Sequence, residues 1–253
     1  MFIGKIDLIW INFYIKNSGL KDQNVKSKLT LTNQTGDGNP PDFQALTPVQ
    51  RWSGAWKLPS FRWKFWIGFL VFGCILLAFP SFFNAIEARN GFVFSDYILQ
   101  FIPPRDVSKG VFFLIWSSCL LLIYRVIRDP GMMLNMLWSY NGVTLLRMTC
   151  ISLISLNPPV GLIPLADPIT NQFYGQHYIT HDLFFSGHTT TVFLIFLCLR
   201  KKADRIYTLA ASILLGLLLL IQHVHYTIDI LAAPVFTYAV YRITLVFTKR
   251  ENA

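Results

Sequence analysis

Charge is the scarcest commodity in this 253-residue chain: Asp, Glu, Lys and Arg together make up only 14% of it, against about a quarter in soluble globular proteins. With 53% hydrophobic and 15% aromatic residues, the deficit excludes a solvated domain and a disordered chain, and it sets the class as membrane protein. Acids are rarer than bases, 13 against 22, which leaves a net charge of +9. A long basic stripe with interleaved aromatics is nevertheless missing. The cations lie in short clusters between apolar runs, so no nucleic-acid partner is expected. Cysteine is also sparse: Cys74, Cys119, Cys150 and Cys198 each sit in an apolar run, with no Cys-x-x-Cys pair and no framework spacing, and are expected as buried thiols. A cleavable leader is not expected either, because Asp7 closely precedes the apolar patch from Ile9 to Ile15 and no small-residue cleavage site follows.

What is present is a series of long apolar runs. They predict an all-α integral membrane protein, a bundle of six transmembrane helices at about 65–85, 108–125, 132–156, 183–200, 205–223 and 226–247. Residues 1–60 read as a largely disordered cytoplasmic tail, polar and rich in Gly and Pro from about 17 to 50, residues 61–248 as the membrane domain, and residues 249–253 as a short tail. Basic residues divide unevenly between the two sides. Those before the first run, Arg125 and Arg128, the cluster Arg200, Lys201, Lys202 and Arg205, and the last three, Arg242, Lys249 and Arg250, fall on one side; only Arg89, Arg105 and Lys109 fall opposite. The excess of positive charge on cytoplasmic loops then places both termini in the cytoplasm.

Two polar stretches interrupt the apolar runs: Ser186-Gly187-His188-Thr189 and His225-Tyr226-Thr227-Ile228-Asp229. Ionisable groups at membrane depth are costly and are functional candidates by default. His188 and His225 are 37 positions apart, enough for one helix down, a basic turn and one helix back, so both are expected on the exoplasmic face. His225 and Asp229 are four apart and are expected on one side of one helix.

A neutral imidazole can attack phosphorus, and a second can protonate the leaving oxygen. Asp229 would orient His225 and stabilise the charge that develops on it. Ser186 and Gly187 would open a helix whose free N–H groups suit a phosphate. Arg147, inside the third run, is a cation expected either to pair with a neighbouring acid or to await a phosphate. No metal or cofactor is needed for such a transfer. A metal site of clustered histidines, with His177 and His181 at helical spacing, is the weaker alternative; His177, His181 and His223 read as rim residues.

At these residues the chain resembles a known family. Asp182-Leu183-Phe184-Phe185-Ser186-Gly187-His188-Thr189 and His225-Tyr226-Thr227-Ile228-Asp229 resemble the two signature motifs of the sphingomyelin synthase family, a branch of the type 2 phosphatidic acid phosphatase superfamily. Leu146-Arg147, followed by an apolar stretch to Pro158-Pro159, is similar to a further motif, and the likeness covers about residues 60–247. The resemblance implies six helices, an exoplasmic triad of His188, His225 and Asp229, and transfer of a phospho-headgroup from a glycerophospholipid to ceramide or a diacylglycerol-like alcohol. It assigns phosphorylation to His225 and leaving-group protonation to His188; Asp182 joins Arg147, Ser186 and Gly187 as a substrate-binding residue. Where the family has Cys-Gly ahead of the motif's Asp, this chain has Thr180-His181, and choline, ethanolamine and inositol phosphates stay open as headgroups. Leu218 and Leu219 replace the Ser-Arg pair of the phosphatases. A lipid phosphate phosphatase and a non-catalytic lipid-binding or transport protein are the competing readings.

Overall fold

A computed structural model describes residues 47–165 and 179–248. Seven α-helices make up these residues: α1 Pro48–Lys57, α2 Pro59–Glu87, α3 Ser108–Val126, α4 Pro130–Leu153, α5 Gly187–Cys198, α6 Lys202–Ile221 and α7 Thr227–Thr248, with a short 3-10 turn at Leu99–Phe101. Among the described residues the only β pairing is a bridge between Phe92 and Leu156.

Helix starts follow local chemistry. Thr47 and Gln50 form a reciprocal capping box at α1, with Pro48 in the first turn, and Pro59 and Pro130 occupy the same position in α2 and α4. Asp129 caps α4 through the Met132 N–H at 2.9 Å. Helix α6 ends in a Schellman motif: the His223 N–H bonds Leu220 O at 3.0 Å, and the Val224 N–H bonds Leu219 O at 3.1 Å. His223 takes the left-handed conformation there, with φ at 55°.

Helices α2, α3, α6 and α7 are each long and apolar enough to cross a membrane. The expected second, fifth and sixth runs agree with α3, α6 and α7 to within a few residues. Three expectations change. The first run starts earlier, at Pro59, and residues 48–57 of the supposed tail form a helix; residues 1–46 and 249–253 lie outside the described residues. Helix α4, at 24 residues, is long enough but carries Asn135, Ser139, Asn141, Thr144 and Arg147 among its apolar positions. The fourth run yields only a 12-residue α5, about 18 Å long against roughly 30 Å of hydrocarbon.

The shortness of α5 has a packing reason. It sits in the middle of the bundle against α3, α4, α6 and α7, with Val192, Leu194 and Ile195 fully buried. Surrounded by protein, the segment leading into it need not be helical, because irregular backbone is tolerated at depth where other groups satisfy it. Here the Ser186 N–H donates to Asp229 O at 3.3 Å and Arg147 Nε to Phe185 O at 2.7 Å.

Close helix contacts depend on small residues. A β-carbon at Gly216 would lie 2.7 Å from Ile230 of α7, and one at Gly68 would lie 2.7 Å from Leu137 of α4. The expected burial of all four thiols holds for Cys198 but not for Cys74, which is exposed on the outside of α2.

The two ends of the bundle are tied differently. At one end cations close the helices: Arg125 pairs with Asp204 through two bonds of 2.6 and 3.0 Å, Arg200 with Asp129 at 3.0 Å, and Lys64 Nζ donates to Phe247 O of α7 at 2.9 Å. At the other end, loops 88–107, 154–165 and 179–186 and the turn 222–226 bond to one another, and they carry the histidines and acids discussed below.

Candidate active site

His188, His225, Arg147 and Gly187 line one cavity of about 350 Å³. His188 is the second residue of α5, whose N-cap Ser186 accepts from the Thr189 N–H at 3.4 Å. His225 lies in the turn before α7, because that helix begins at Thr227. The expectation that His225 and Asp229 share a helix face is therefore corrected. Asp229 stands in the first turn of α7 and its carboxylate reaches back: Oδ2 accepts the Tyr226 N–H at 3.1 Å and lies 3.4 Å from His225 Nδ1. Asp229 is fully buried and His225 is nearly so. At 3.4 Å the pair is looser than a hydrogen bond. Neither His225 Nδ1 nor Asp229 Oδ1 has a hydrogen-bond partner among the described residues.

Arg147 does not stand without an anion. Its Nη2 donates to Asp182 Oδ1 at 2.8 Å while Nε donates to Phe185 O. Of the two expectations for this cation, pairing with a neighbouring acid is met. Asp182, expected to bind substrate, lines the cavity and holds the guanidinium. A fork held along one edge leaves Nη1 against the start of α5. A β-carbon at Gly187 would come within 2.6 Å of that nitrogen, so only glycine lets the guanidinium lie over the helix N-terminus. The guanidinium and the start of α5 thus meet at the cavity that both imidazoles line. Ser186 is fully buried and, with Asp229, stands behind the cavity wall.

The cavity lining also includes apolar side chains, among them Phe79 and Phe83 of α2 and Phe112 and Ile115 of α3. One cavity accordingly combines a cation and two imidazoles with hydrocarbon-compatible side chains.

Several supporting residues escaped the sequence reading. Glu87, the last residue of α2, accepts the N–H groups of Thr180 and His181 at 2.5 and 2.8 Å. Its second oxygen accepts Thr180 Oγ1 at 3.0 Å and lies 2.9 Å from His181 Nδ1. His181 Nε2 lies 3.3 Å from Asn157 Oδ1, which already accepts the Gly91 N–H. His181 is thus bound on both ring nitrogens rather than free at a rim. Asp96 accepts from Thr227 N and Oγ1 at 2.6 and 3.1 Å, capping the helix that holds Asp229. Tyr226 Oη donates to Asn157 O at 2.9 Å. No periodicity marks these partners, since each pairs across tens of residues.

His223 is equally committed. Its two ring nitrogens each lie 2.7 Å from a carbonyl oxygen, of Val160 and Ile102. Carbonyls only accept, so both bonds require both N–H groups. No group of three or more His, Cys, Asp or Glu side chains suited to a metal occurs among the described residues, and His177 of the metal alternative lies outside them.

Comparison with known proteins is consistent with this geometry. No curated protein matches the chain. Residues 181–246, which carry both histidine motifs, match the family described as PAP2 superfamily C-terminal, and this stretch is therefore similar to a group of lipid phosphatases and phosphotransferases.

Proposed function

We propose that the protein is a membrane lipid phosphotransferase that moves a phospho-headgroup from a glycerophospholipid to ceramide or a similar lipid alcohol, through a phosphohistidine at His225. The observation that carries this reading is the cavity itself, lined by His188, His225 and Arg147 together with aromatic and aliphatic side chains. A phosphodiester attached to acyl chains suits both kinds of lining at once. The proposal includes a six-helix domain, in which α4 and α5 complete the four apolar spans, and an exoplasmic site.

In the first step the His225 Nε2 lone pair attacks phosphorus and the bond to the lipid oxygen breaks. His188, as imidazolium, gives its proton to that oxygen, so the diacylglycerol leaves neutral. Asp229, whose Oδ2 lies 3.4 Å from Nδ1, offsets the positive charge formed on His225. Arg147 and the α5 N-terminus stabilise the equatorial phosphoryl oxygens. In the second step His188, now neutral, takes the proton of the acceptor hydroxyl. The resulting oxygen attacks phosphorus, the P–N bond breaks, and His225 is regenerated.

The test is transfer by the purified full-length protein in vesicles containing a headgroup-labelled phospholipid and ceramide, followed by mass spectrometry of lipids and protein. A labelled ceramide product and an acid-labile phospho-adduct on His225 are expected. Release of water-soluble phospho-alcohol with no lipid product would instead make water the acceptor and the protein a phosphatase. Lipid binding without any turnover would support the non-catalytic reading.

A further inference from the structure

Residues 88–107 join α2 to α3, two helices that are each long and apolar enough to cross a membrane. Within this connection the stretch from Asn90 to Pro104 carries a single charged side chain, Asp96. That carboxylate is buried and turned inward: Oδ1 accepts the N–H groups of Ile98 and Leu99 at 3.0 and 3.2 Å, and Oδ2 accepts the Thr227 N–H at 2.6 Å. What the loop turns outward is apolar. Phe92, Val93, Phe94, Tyr97, Ile98 and Phe101 are all exposed, Tyr97 by 78% and Phe101 by 85%. Val160, 81% exposed, extends the patch, because the His223 ring bonds the carbonyls of both Val160 and Ile102.

The backbone of this loop finds its partners inside the protein. Gly91, Phe92 and Phe94 donate their N–H groups to Asn157 Oδ1, Ser155 O and Tyr226 Oη at 3.0, 3.2 and 3.2 Å. Gln100, Phe101 and Ile102 donate to the carbonyls of Asp96, Ile98 and Leu99 at 3.3, 3.2 and 3.1 Å. Water would satisfy such groups without any of these bonds, whereas irregular backbone at membrane depth persists only where protein supplies the partners. Exposed apolar side chains over an internally paired backbone are the inverse of a hydrated loop.

We propose that residues 92–101 form a non-spanning segment that lies in the bilayer leaflet at the site end of the bundle, with Tyr97, Ile98 and Phe101 among the upper acyl carbons. The bilayer, rather than another protein, is the partner for two reasons. Both ends of the connection run into spanning helices, so the patch is held near the level at which those helices leave the hydrocarbon. Its composition is also that of an interfacial segment: aromatic and aliphatic side chains with no acid turned outward, followed by the exposed cations Arg105 and Lys109, with Asp106 between them. The inward side of the same loop caps α7 through Asp96, so lipid contact and the turn that carries Asp229 meet in one segment.

Spin labels measure the depth in full-length protein whose four native cysteines are alanine, reconstituted into phosphatidylcholine vesicles. Tyr97→Cys and Phe101→Cys carry the label in turn. Leu77→Cys, at a position 83% exposed on α2, supplies the lipid-facing reference, and Asn90→Cys supplies the aqueous one. Collision with oxygen and with a water-soluble nickel chelate is expected to place both loop labels about 5–10 Å below the phosphates, on the Leu77 side of the scale. Gln100→Cys leaves every apolar side chain of the patch in place and reads the same turn if either substitution perturbs the fold; oxygen contact above that at Asn90 is expected there too. Nickel contact equal to that at Asn90 would put the loop in water, and loss of contact with both reagents would put a second copy of the protein over it. Either result overturns the inference.

Discussion

Asp96 and Thr227 meet across 131 positions of sequence: one carboxylate oxygen accepts the Thr227 N–H at 2.6 Å and the other accepts its hydroxyl at 3.1 Å. This cap comes from a loop, not from the residue preceding the helix, and it fixes the first turn of α7, where Asp229 faces His225. Burial pushes the Asp96 carboxyl up, but the N–H groups of Thr227, Leu99 and Ile98 outweigh it and hold the group below the ordinary carboxylate range. Its stabilising effect is therefore complete above the ordinary range and is lost as pH falls through the depressed value. Asp96→Ala should lower stability by about 1 kcal/mol and flatten the acid limb of the unfolding profile, as measured by thermal melts between pH 3 and pH 7. An unchanged acid limb would show that other carboxylates control it.

His225→Ala and Asp229→Asn should each abolish headgroup transfer in protein that is still folded and inserted. Asp229→Asn keeps an oxygen for the Tyr226 N–H, whose bond measures 3.1 Å, so its loss reports on the charge facing His225 rather than on helix capping. Turnover near wild type in a detergent-stable His225→Ala protein would sink the assigned nucleophile.

Gly187→Ala places a β-carbon 2.6 Å from Arg147 Nη1 and must displace the guanidinium or the helix start. Activity should fall on the order of 10²-fold, the scale for one lost transition-state donor. Arg147→Lys should fall by a similar factor, because an ammonium cannot bond Asp182 and Phe185 O while still facing the helix. Full turnover in stable Arg147→Lys protein would remove Arg147 from the site.

Sidedness is open to chemical labelling. In a protein whose four native cysteines are alanine, Asn90→Cys should react with an impermeant thiol reagent from outside intact cells and Ala203→Cys should not. Both positions are exposed, at opposite ends of the bundle. The reverse pattern would move the site to the cytoplasmic face.

His223 links two loops through carbonyls that it can serve together only as the doubly protonated ring. His223→Gln, with one side-chain amide, should lose at least one of these bonds and increase hydrogen exchange at 102–105 and 160–163 above the wild-type rate. Unaltered exchange there would show that the loops are held by other contacts.

The sequence alone determined the class, the apolar runs and the two histidine stretches, because hydrophobicity and motif spacing are local properties. It also singled out Arg147, since a cation inside an apolar run is costly wherever the chain goes. Tertiary structure decided what those residues face. The shortness of α5 follows from its central position among four other helices, which an apolar run does not report. Four-residue spacing suggests one helix for His225 and Asp229; Asp229 instead reaches back to a turn, as a first-turn carboxylate can. Glu87, Asp96 and Asn157 gained roles only where loops distant in sequence came together at one end of the bundle. Local pattern specifies which helices form, but partners for buried polar groups are chosen by packing, and packing sets where the charge of Arg147 points.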